Sequence, residues 1–356
     1  MAKPEHSFPV RESSVYDEQA AKAVFGQRLQ IDVPLARYTA ARVGGAAEGL
    51  IQAKSAEDLA EITGHLWEME VPFVVFGGGS NILVSDRGLS GVAVLNKARR
   101  VRFDLEKEPP QVWAESGANL GSISRQAATR GLAGLEWAAG IPGTLGGAIV
   151  GNAGAHGGDT AGNLLLADIL HREDPERPRA NGDKPIPEFV RDKWMADRFQ
   201  FAYRSSVIKG TSHKPTQPGR GGAPTVFSPS PRTVVLSAWL GLELSNREAV
   251  NARMEENLNY RRTTQPPGAS MGSMFKNPPG DFAGRLIEAA GLKGTRVGKA
   301  QISPLHGNFF INHGGASAGD IWQLIQLARN QVIKKFGVEL ELEIEFVGDW
   351  TIEARQ

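Results

Sequence analysis

Two stretches of this chain are dense in glycine and a third alternates glutamate with apolar residues, and each has the composition of a chemical site. Gly77-Gly78-Gly79-Ser80-Asn81 follows the apolar run Val71 to Phe76. Glycines at a strand end let main chain approach a ligand closely and turn successive N–H groups outward, which suits a pyrophosphate. A plain tight turn uses the same residues. The G-x-G-x-x-G spacing of parallel-sheet dinucleotide sites is absent, and Ile82 to Val84 reads as extended rather than helical. The second stretch is longer: Gly140-Ile141-Pro142-Gly143-Thr144-Leu145-Gly146-Gly147-Ala148 continues to Gly151-Asn152-Ala153-Gly154-Ala155-His156-Gly157-Gly158. So many small residues fit main chain wrapped around a large flat ligand, or two elements packed backbone to backbone.

The third stretch runs from Val338 to Phe346. Val338, Leu340, Leu342, Ile344 and Phe346 alternate with Glu339, Glu341, Glu343 and Glu345, so an extended segment places four carboxylates on one face. Neighbours on that face stand roughly 7 Å apart. On a solvated edge they are merely negative charge. Lining a cleft, their mutual repulsion raises at least one pKa and makes a protonated carboxylic acid available near neutral pH. The alternation does not choose among the four.

A large fold must position these groups. The 356 residues suggest two or three domains. Residues 1–28 read as a loosely held extension, 29–96 and 97–244 as two structured blocks, and 245–356 as a third. In the first block Ser55-Ala56-Glu57-Asp58 is a capping box for a helix to about Glu70. Val71 to Phe76, Ile82 to Val84 and Val92 to Leu95 are expected strands. The second block holds a helix from about Leu120 to Arg130 closed by Gly131. It also holds two segments expected as surface loops of low order, Arg172 to Pro187 and Gly210 to Pro231. The third holds a helix over Arg247 to Tyr260 and a short one capped by Asp281 and ended by Gly291. A last helix opens at Ser317-Ala318-Gly319-Asp320 with Ile321, Leu324, Ile325, Ala328, Val332 and Phe336 on its buried side. Helices and strands interleave, which gives an α+β or α/β chain.

Composition removes several functions. The absence of cysteine excludes disulfides, thiolate nucleophiles and iron–sulfur clusters, and fits a reducing compartment. Forty basic against thirty-nine acidic residues give a net charge of +1, with no electrostatic case for nucleic acid or an anionic membrane. The seven histidines show no metal-ligand spacing, so no metal is expected. Met1 to Arg28 is polar and interrupted by Pro4 and Pro9, unlike a signal peptide. Leu132 to Gly151 contains Glu136, Pro142 and six glycines and is a poor membrane helix. A cytoplasmic monomer acting on a small molecule is the expectation.

Taken together, Gly77 to Asn81, then Ile141-Pro142-Gly143-Thr144-Leu145-Gly146-Gly147, then Asn152-Ala153-Gly154-Ala155 resemble the FAD cradle of the UDP-N-acetylenolpyruvoylglucosamine reductases (MurB). Tyr203-Arg204-Ser205-Ser206, Gly272-Ser273-Met274-Phe275-Lys276-Asn277-Pro278-Pro279-Gly280 and Leu340-Glu341-Leu342-Glu343-Ile344 agree with that family in order and spacing. Gly291-Leu292-Lys293-Gly294 and His306-Gly307-Asn308-Phe309 also resemble family positions, so the likeness runs from about Arg37 to Gly348. It implies an α+β chain: an FAD-binding fold of the vanillyl-alcohol-oxidase (PCMH) type in two subdomains, plus a C-terminal α+β substrate-binding domain whose last strand returns to the active site. It implies non-covalent FAD recharged by NADPH, and hydride delivery to the enolpyruvyl ether of a UDP-sugar.

The resemblance also assigns roles. Arg204 is implied at the developing carboxylate-enolate, for which a planar, permanently charged fork is suited. Ser273 is implied as proton donor; alone it would read as a turn serine, and a hydroxyl so weakly acidic needs a cationic or hydrogen-bonded setting. The family match picks Glu343 as the carboxylate, with Glu341 in reserve because Leu342 stands where the family commonly has proline. Arg42, Gly77, Gly78, Gly79, Ser80, Asn81, Ile141, Gly143, Thr144, Gly146, Gly147, Ala148 and Asn152 are implied at the cofactor. Tyr203, Lys276, Asn277, Lys293 and His306 are implied at the substrate, Lys276 and Asn277 as donors to the diphosphate. His156 reads as a satisfied loop histidine. The insertion at Gly210 to Pro231 contains no tyrosine, which matches the subtype without a tyrosine lid. Two other readings stand beside this one: a flavin-dependent oxidase of the same fold acting on an alcohol or hydroxy acid, and a nucleotide-binding module that has lost catalysis.

Overall fold

The computed structural model describes residues 16–173, 188–212 and 231–350. Residues 174–187 and 213–230, most of the two expected surface loops, lie outside the described residues, as do residues 1–15.

The first block opens earlier than its composition suggests. Helix α1 (Glu18–Phe25) is capped by Asp17, whose side chain accepts from Gln19 N and Ala20 N at 2.9 and 3.0 Å. Ala21 and Phe25, one turn apart, are buried with Ile51, Leu59 and Trp67. The second half of the expected loose extension is therefore folded, and an Asp cap with an i, i+4 apolar pair was its signal. Strands β1 (Gln30–Pro34) and β2 (Ala46–Ala53) precede helix α2 (Ala56–Glu68), then β3 (Phe73–Phe76), β4 (Ile82–Val84) and β5 (Leu89–Asn96). The sheet order is β1-β2-β5-β3, antiparallel at β1 and parallel elsewhere. Ser55 Oγ accepts from Asp58 N at 3.1 Å, but the Asp58 carboxylate takes Lys54 N at 2.8 Å, so half of the expected capping box forms. β4 stays outside this sheet.

The second block is built on an antiparallel sheet. Its elements are β6 (Val101–Asp104), β7 (Gln111–Glu115), helices α3 (Leu120–Ala128) and α4 (Leu145–Gly151), β8 (Leu164–Glu173), β9 (Glu188–Met195), helix α5 (Val207–Ser212) and β10 (Thr233–Gly241). The sheet order is β9-β8-β10-β7-β6. Ile123, Leu145, Ile149, Ala167 and Phe199 fill the core beneath it. Gly131 turns the chain after α3 with φ +70°, a conformation that favours glycine.

In the third region helix α6 (Arg247–Thr264) is followed by α7 (Ala283–Ala289), the three-stranded sheet β11 (Arg296–Val297), β12 (Ala300–Ile302), β13 (Phe310–Asn312), then α8 (Ala318–Phe336) and β14 (Glu345–Val347). α6 buries Val250 and Met254 against Ala128, Ala133 and Ala139. It packs on the second block. Phe282, not Asp281, occupies the N-cap of α7; Asp281 pairs with Arg285, which holds its carboxyl down at about 2. α8 carries the full Ser317–Asp320 capping box and buries Ile321, Leu324, Ile325, Ala328 and Val332, while Phe336 stays 37% exposed.

The regular glutamate strand is also corrected. Only Glu345–Val347 has strand pairing, and it runs parallel to β4 in the first block, Glu345 opposite Ile82. Upstream, Leu342 makes an isolated bridge to Phe275. A lone strand pattern cannot show that its partner residues are short and lie in two different blocks.

A second tie joins the same blocks. Asp86, just beyond β4, accepts from Ala318 N and Gly319 N at 2.8 and 3.0 Å, meeting the first free amides of α8 from another part of the fold. Asp86→Ala is expected to destabilise the FAD-loaded protein by about 1–2 kcal/mol, measured as a lowered urea midpoint. An unchanged midpoint would show that the cap contributes nothing.

Candidate functional site

The two glycine stretches meet main chain to main chain. A Cβ on Gly77 would lie 2.3 Å from Thr144 Oγ1, and one on Gly78 3.1 Å from Gly143 Cα. Gly79 has φ +60°, and a Cβ there would stand 2.1 Å from Tyr38 O. Ser80 Oγ donates to Pro142 O at 3.3 Å, and Asn119 Nδ2 to Gly143 O at 3.2 Å. Among the described residues, no acceptor receives the backbone N–H groups of Gly77, Gly78, Gly79, Ser80 or Asn81. Consecutive unengaged amides in a glycine turn form a concavity suited to an anion. By contrast, the first amides of α4 are engaged: Leu145 N donates to Ala118 O at 2.9 Å and Gly146 N to Ser116 O at 2.8 Å. The loop after β3 therefore offers more unengaged amides than the first two positions of this helix.

Thr144 and Ala148 are buried, whereas Pro142 and Gly147 are exposed beside partly buried Ile141, Gly143 and Gly146. Arg42 is exposed with φ +55°, and Asn312 Nδ2 reaches its carbonyl at 3.3 Å. These residues fit an FAD pressed along main chain, with glycine wherever a side chain would part the two loops. Asn152 does something else. It caps α4 in the left-handed region, and its side chain donates to Asp159 Oδ2 at 3.3 Å and Ala202 O at 3.1 Å and accepts from Ala161 N at 3.0 Å. Its side chain braces the turn that carries Arg204.

That turn is a two-residue reversal. Ala202 and Ser205 exchange backbone hydrogen bonds at 3.0 and 3.1 Å, Tyr203 and Arg204 sit between them, and Ser206 Oγ ties it to Val150 O at 2.7 Å. Arg204 has φ +56°, uncommon for a residue other than glycine and held by its surroundings. Its Nε is buried 2.8 Å from Glu343 Oε1, an ion-pair contact, but the geometry is not that of an aligned hydrogen bond. Tyr203 is 55% exposed, with the Arg204 guanidinium 5.3 Å from its ring centroid.

Each glutamate of the C-terminal stretch has its own cation. Glu339 pairs with Arg329 at 3.2 Å, Glu341 with Lys276 at 2.5 Å, Glu343 with Arg204 at 2.8 Å and Glu345 with Lys209 at 3.3 Å. Burial raises the Glu343 pKa above the usual carboxylate range, against the pull of Arg204, Lys209 and Lys276. The expected cause, repulsion among the four, is replaced by desolvation. Side-chain exposure separates the two candidates: 18% for Glu343 against 70% for Glu341.

The segment that carries Ser273 runs beside the one that carries this carboxylate. Met274, its neighbour, accepts Glu343 N at 2.9 Å, and Lys276 N donates to Glu341 O at 2.8 Å, so the two segments lie side by side. Ser273 itself bridges to Phe309, and Asn308 clamps Phe275 through both its amide groups at 2.9 and 2.8 Å. None of the described residues engages the Ser273 hydroxyl. Lys276 is turned to Glu341 rather than to Ser273. Asn277 Oδ1 accepts Ala283 N at 3.1 Å, capping α7 in place of Asp281.

Lys293 pairs with Glu288 at 2.8 Å. His306 packs edge-on to Phe309 at 4.9 Å, and burial with the nearby Lys293 lowers its pKa. His156 stands edge-on to Tyr260 at 5.5 Å, its pKa lowered by burial and then by Arg261. Among the described residues no group of side chains could hold a metal ion. A cavity of about 170 Å³ lies elsewhere, on the outer sheet face between Arg102, Trp113, Arg191 and Lys193, and Asp168 already engages its Arg191. The sequence analysis did not single out Lys209 or Asn312: Lys209 had only its closeness to Arg204 as a signal, and Asn312, 270 residues from Arg42, had none.

Comparison with known proteins agrees with this geometry. Residues 263–347 match the model of the UDP-N-acetylenolpyruvoylglucosamine reductase C-terminal domain, and residues 47–171 that of an FAD binding domain. The chain is 39% identical over 319 residues to UDP-N-acetylenolpyruvoylglucosamine reductase of Chloroflexus aggregans, covering 90% of this chain and 97% of that protein. It is 38% identical over 324 residues to UDP-N-acetylenolpyruvoylglucosamine reductase 1 of Bacillus anthracis, covering 90% and 95%. The crystal structure of UDP-N-acetylenolpyruvylglucosamine reductase (MurB) from Thermus caldophilus superposes with a TM-score of 0.68 at 32% identity, over 90% of this chain and 99% of that one.

Proposed function

The chain belongs to the UDP-N-acetylenolpyruvoylglucosamine reductase family, and from that premise we propose how its own residues carry the reaction. It is an FAD-dependent oxidoreductase of the α+β FAD-binding fold, reducing UDP-N-acetylenolpyruvoylglucosamine to UDP-N-acetylmuramate for peptidoglycan precursor synthesis. FAD, when bound, supplies reducing equivalents taken from NADPH.

Five consecutive unengaged amides, Gly77 to Asn81, carry the placement of the dinucleotide. They would hold the pyrophosphate of FAD, and Thr144, Gly146, Gly147 and Ala148 would belong to the same cradle. Arg204 faces the substrate carboxylate and holds the negative charge that develops there. Its Nε, not aligned on Glu343, is free to turn to that carboxylate. Ser273 delivers the proton to the carbon beside the carboxylate through a hydroxyl that no described residue engages. Glu343, its pKa raised by burial, stands beside both as the acid–base partner. Tyr203, Lys276, Asn277, Lys293 and His306 border the substrate, and opening the Lys276–Glu341 pair frees an ammonium for the diphosphate.

The proposed division is two FAD subdomains ending near residue 264 and a substrate domain beyond it, which the packing of α6 supports. The proposed working form is a cytoplasmic monomer: Arg204, Ser273 and Glu343 come from one chain, and among the described residues no helix is long and apolar enough to cross a membrane. Purified protein is expected to be yellow and to release FAD on denaturation. NADPH bleaches it and the enolpyruvyl UDP-sugar restores the colour, both read by absorbance. Colourless protein that takes up no FAD defeats the proposal; bleaching without restoration defeats the substrate.

A further inference from the structure

Glu343 is held by its peptide as well as by its carboxylate. Its carbonyl accepts from Asn81 Nδ2 at 3.1 Å and lies 3.5 Å from Lys209 Nζ. The same ammonium stands 3.3 Å from Glu345 Oε1, with side-chain exposures of 17% and 24% for the pair. Lys209 is on α5, five residues beyond Arg204, so one short stretch grips alternate members of the C-terminal segment: Arg204 takes Glu343 and Lys209 takes Glu345. The β14–β4 pairing fixes the rest of that segment from the first block. A pair so enclosed is screened far less than a surface pair, and removing one member leaves the other buried and unpaired.

We propose that Lys209 is a positioning residue for the reaction, fixing the height and direction of Glu343 against Arg204 and Ser273. The inference rests on Glu343 being the acid–base carboxylate. Lys209 acts through Glu345 and the Glu343 peptide. Its charge also belongs to the field around Glu343, with Arg204 from the preceding turn, Lys276 from the facing segment, and Glu341 and Glu345 from its own. Taking away Lys209 removes a cation and leaves Glu345 as an uncompensated like charge. Both changes favour the protonated form of Glu343 and drive its pKa further up.

The test is stopped-flow reoxidation of the reduced protein by the enolpyruvyl UDP-sugar, against pH, for wild type, Lys209→Met, Lys209→Arg and Glu343→Gln. The FAD absorbance of each variant reports that it has folded. Glu343→Gln should slow reoxidation and abolish one limb of the pH profile. Lys209→Met should slow it by about tenfold or more and move that same limb up by roughly half a pH unit or more, and Lys209→Arg should restore both. A slow Glu343→Gln with a Lys209→Met limb that has not moved overturns the Lys209 inference and leaves the Glu343 reading standing. A Glu343→Gln variant with wild-type rate and limb overturns both.

Discussion

Ser273→Ala is expected to slow reoxidation of the reduced protein by the enolpyruvyl UDP-sugar by about 10²- to 10⁴-fold, the usual contribution of a positioned general acid. Bleaching by NADPH should proceed at the wild-type rate, since that step asks no proton of Ser273. The two half-reactions, followed separately by flavin absorbance, divide chemistry from damage. Damage is already improbable on structural grounds, because the segment is held by neighbours and not by the serine hydroxyl. Met274 N donates to Asn308 O at 2.9 Å, and Asn308 brackets Phe275. Met274 and Phe275 are themselves fully buried. A normal reoxidation rate in Ser273→Ala would remove the serine as donor and move the search to Glu343.

Arg204→Met is the second large effect, with an expected loss of about 10²- to 10³-fold in reoxidation, the scale seen when one preorganised charge stabiliser is deleted. The substitution keeps an unbranched, flexible stem and removes the charged fork. It also leaves Glu343 without the partner 2.8 Å away, so that carboxyl takes up its proton at still higher pH. Arg204→Lys separates charge from shape: an ammonium restores the ion pair but not two-point contact with a carboxylate, and should recover only part of the rate. Both variants keep the turn, which is held by Ala202, Ser205 and Ser206 rather than by the arginine side chain. Equal rates for Arg204→Met and wild type would exclude the arginine from the reacting site.

Much of this site was legible in the residues. Glycine density marked both surfaces of the cradle because only glycine allows backbone contact of the kind seen between Gly78 and Gly143. The α8 capping box was legible for the same local reason: Ser317 and Asp320 are three residues apart and answer each other. What sequence could not give was the partner of any long-range group. Nothing near Asn152 in the chain announces that its amide reaches Ala202, fifty residues on. The glutamate row reads as mutually repelling until Arg329, Lys276, Arg204 and Lys209 are seen opposite its members, all but Arg329 from distant stretches. Helix α6 gives no sign in its own residues that Val250 and Met254 pack on Ala128, Ala133 and Ala139. α1 escaped for a different reason, since eight residues carry too little periodicity to stand out from a polar terminus.

The pairing of β14 with β4 sets an order of events at the ribosome. Asn81 and Glu343, joined by a hydrogen bond, are 262 residues apart, and closing so long a loop is slow relative to local folding. The glycine turn and its sheet leave the exit tunnel long before the acidic stretch does. A nascent chain thus exposes both glycine surfaces before any of the four carboxylates can stand against them.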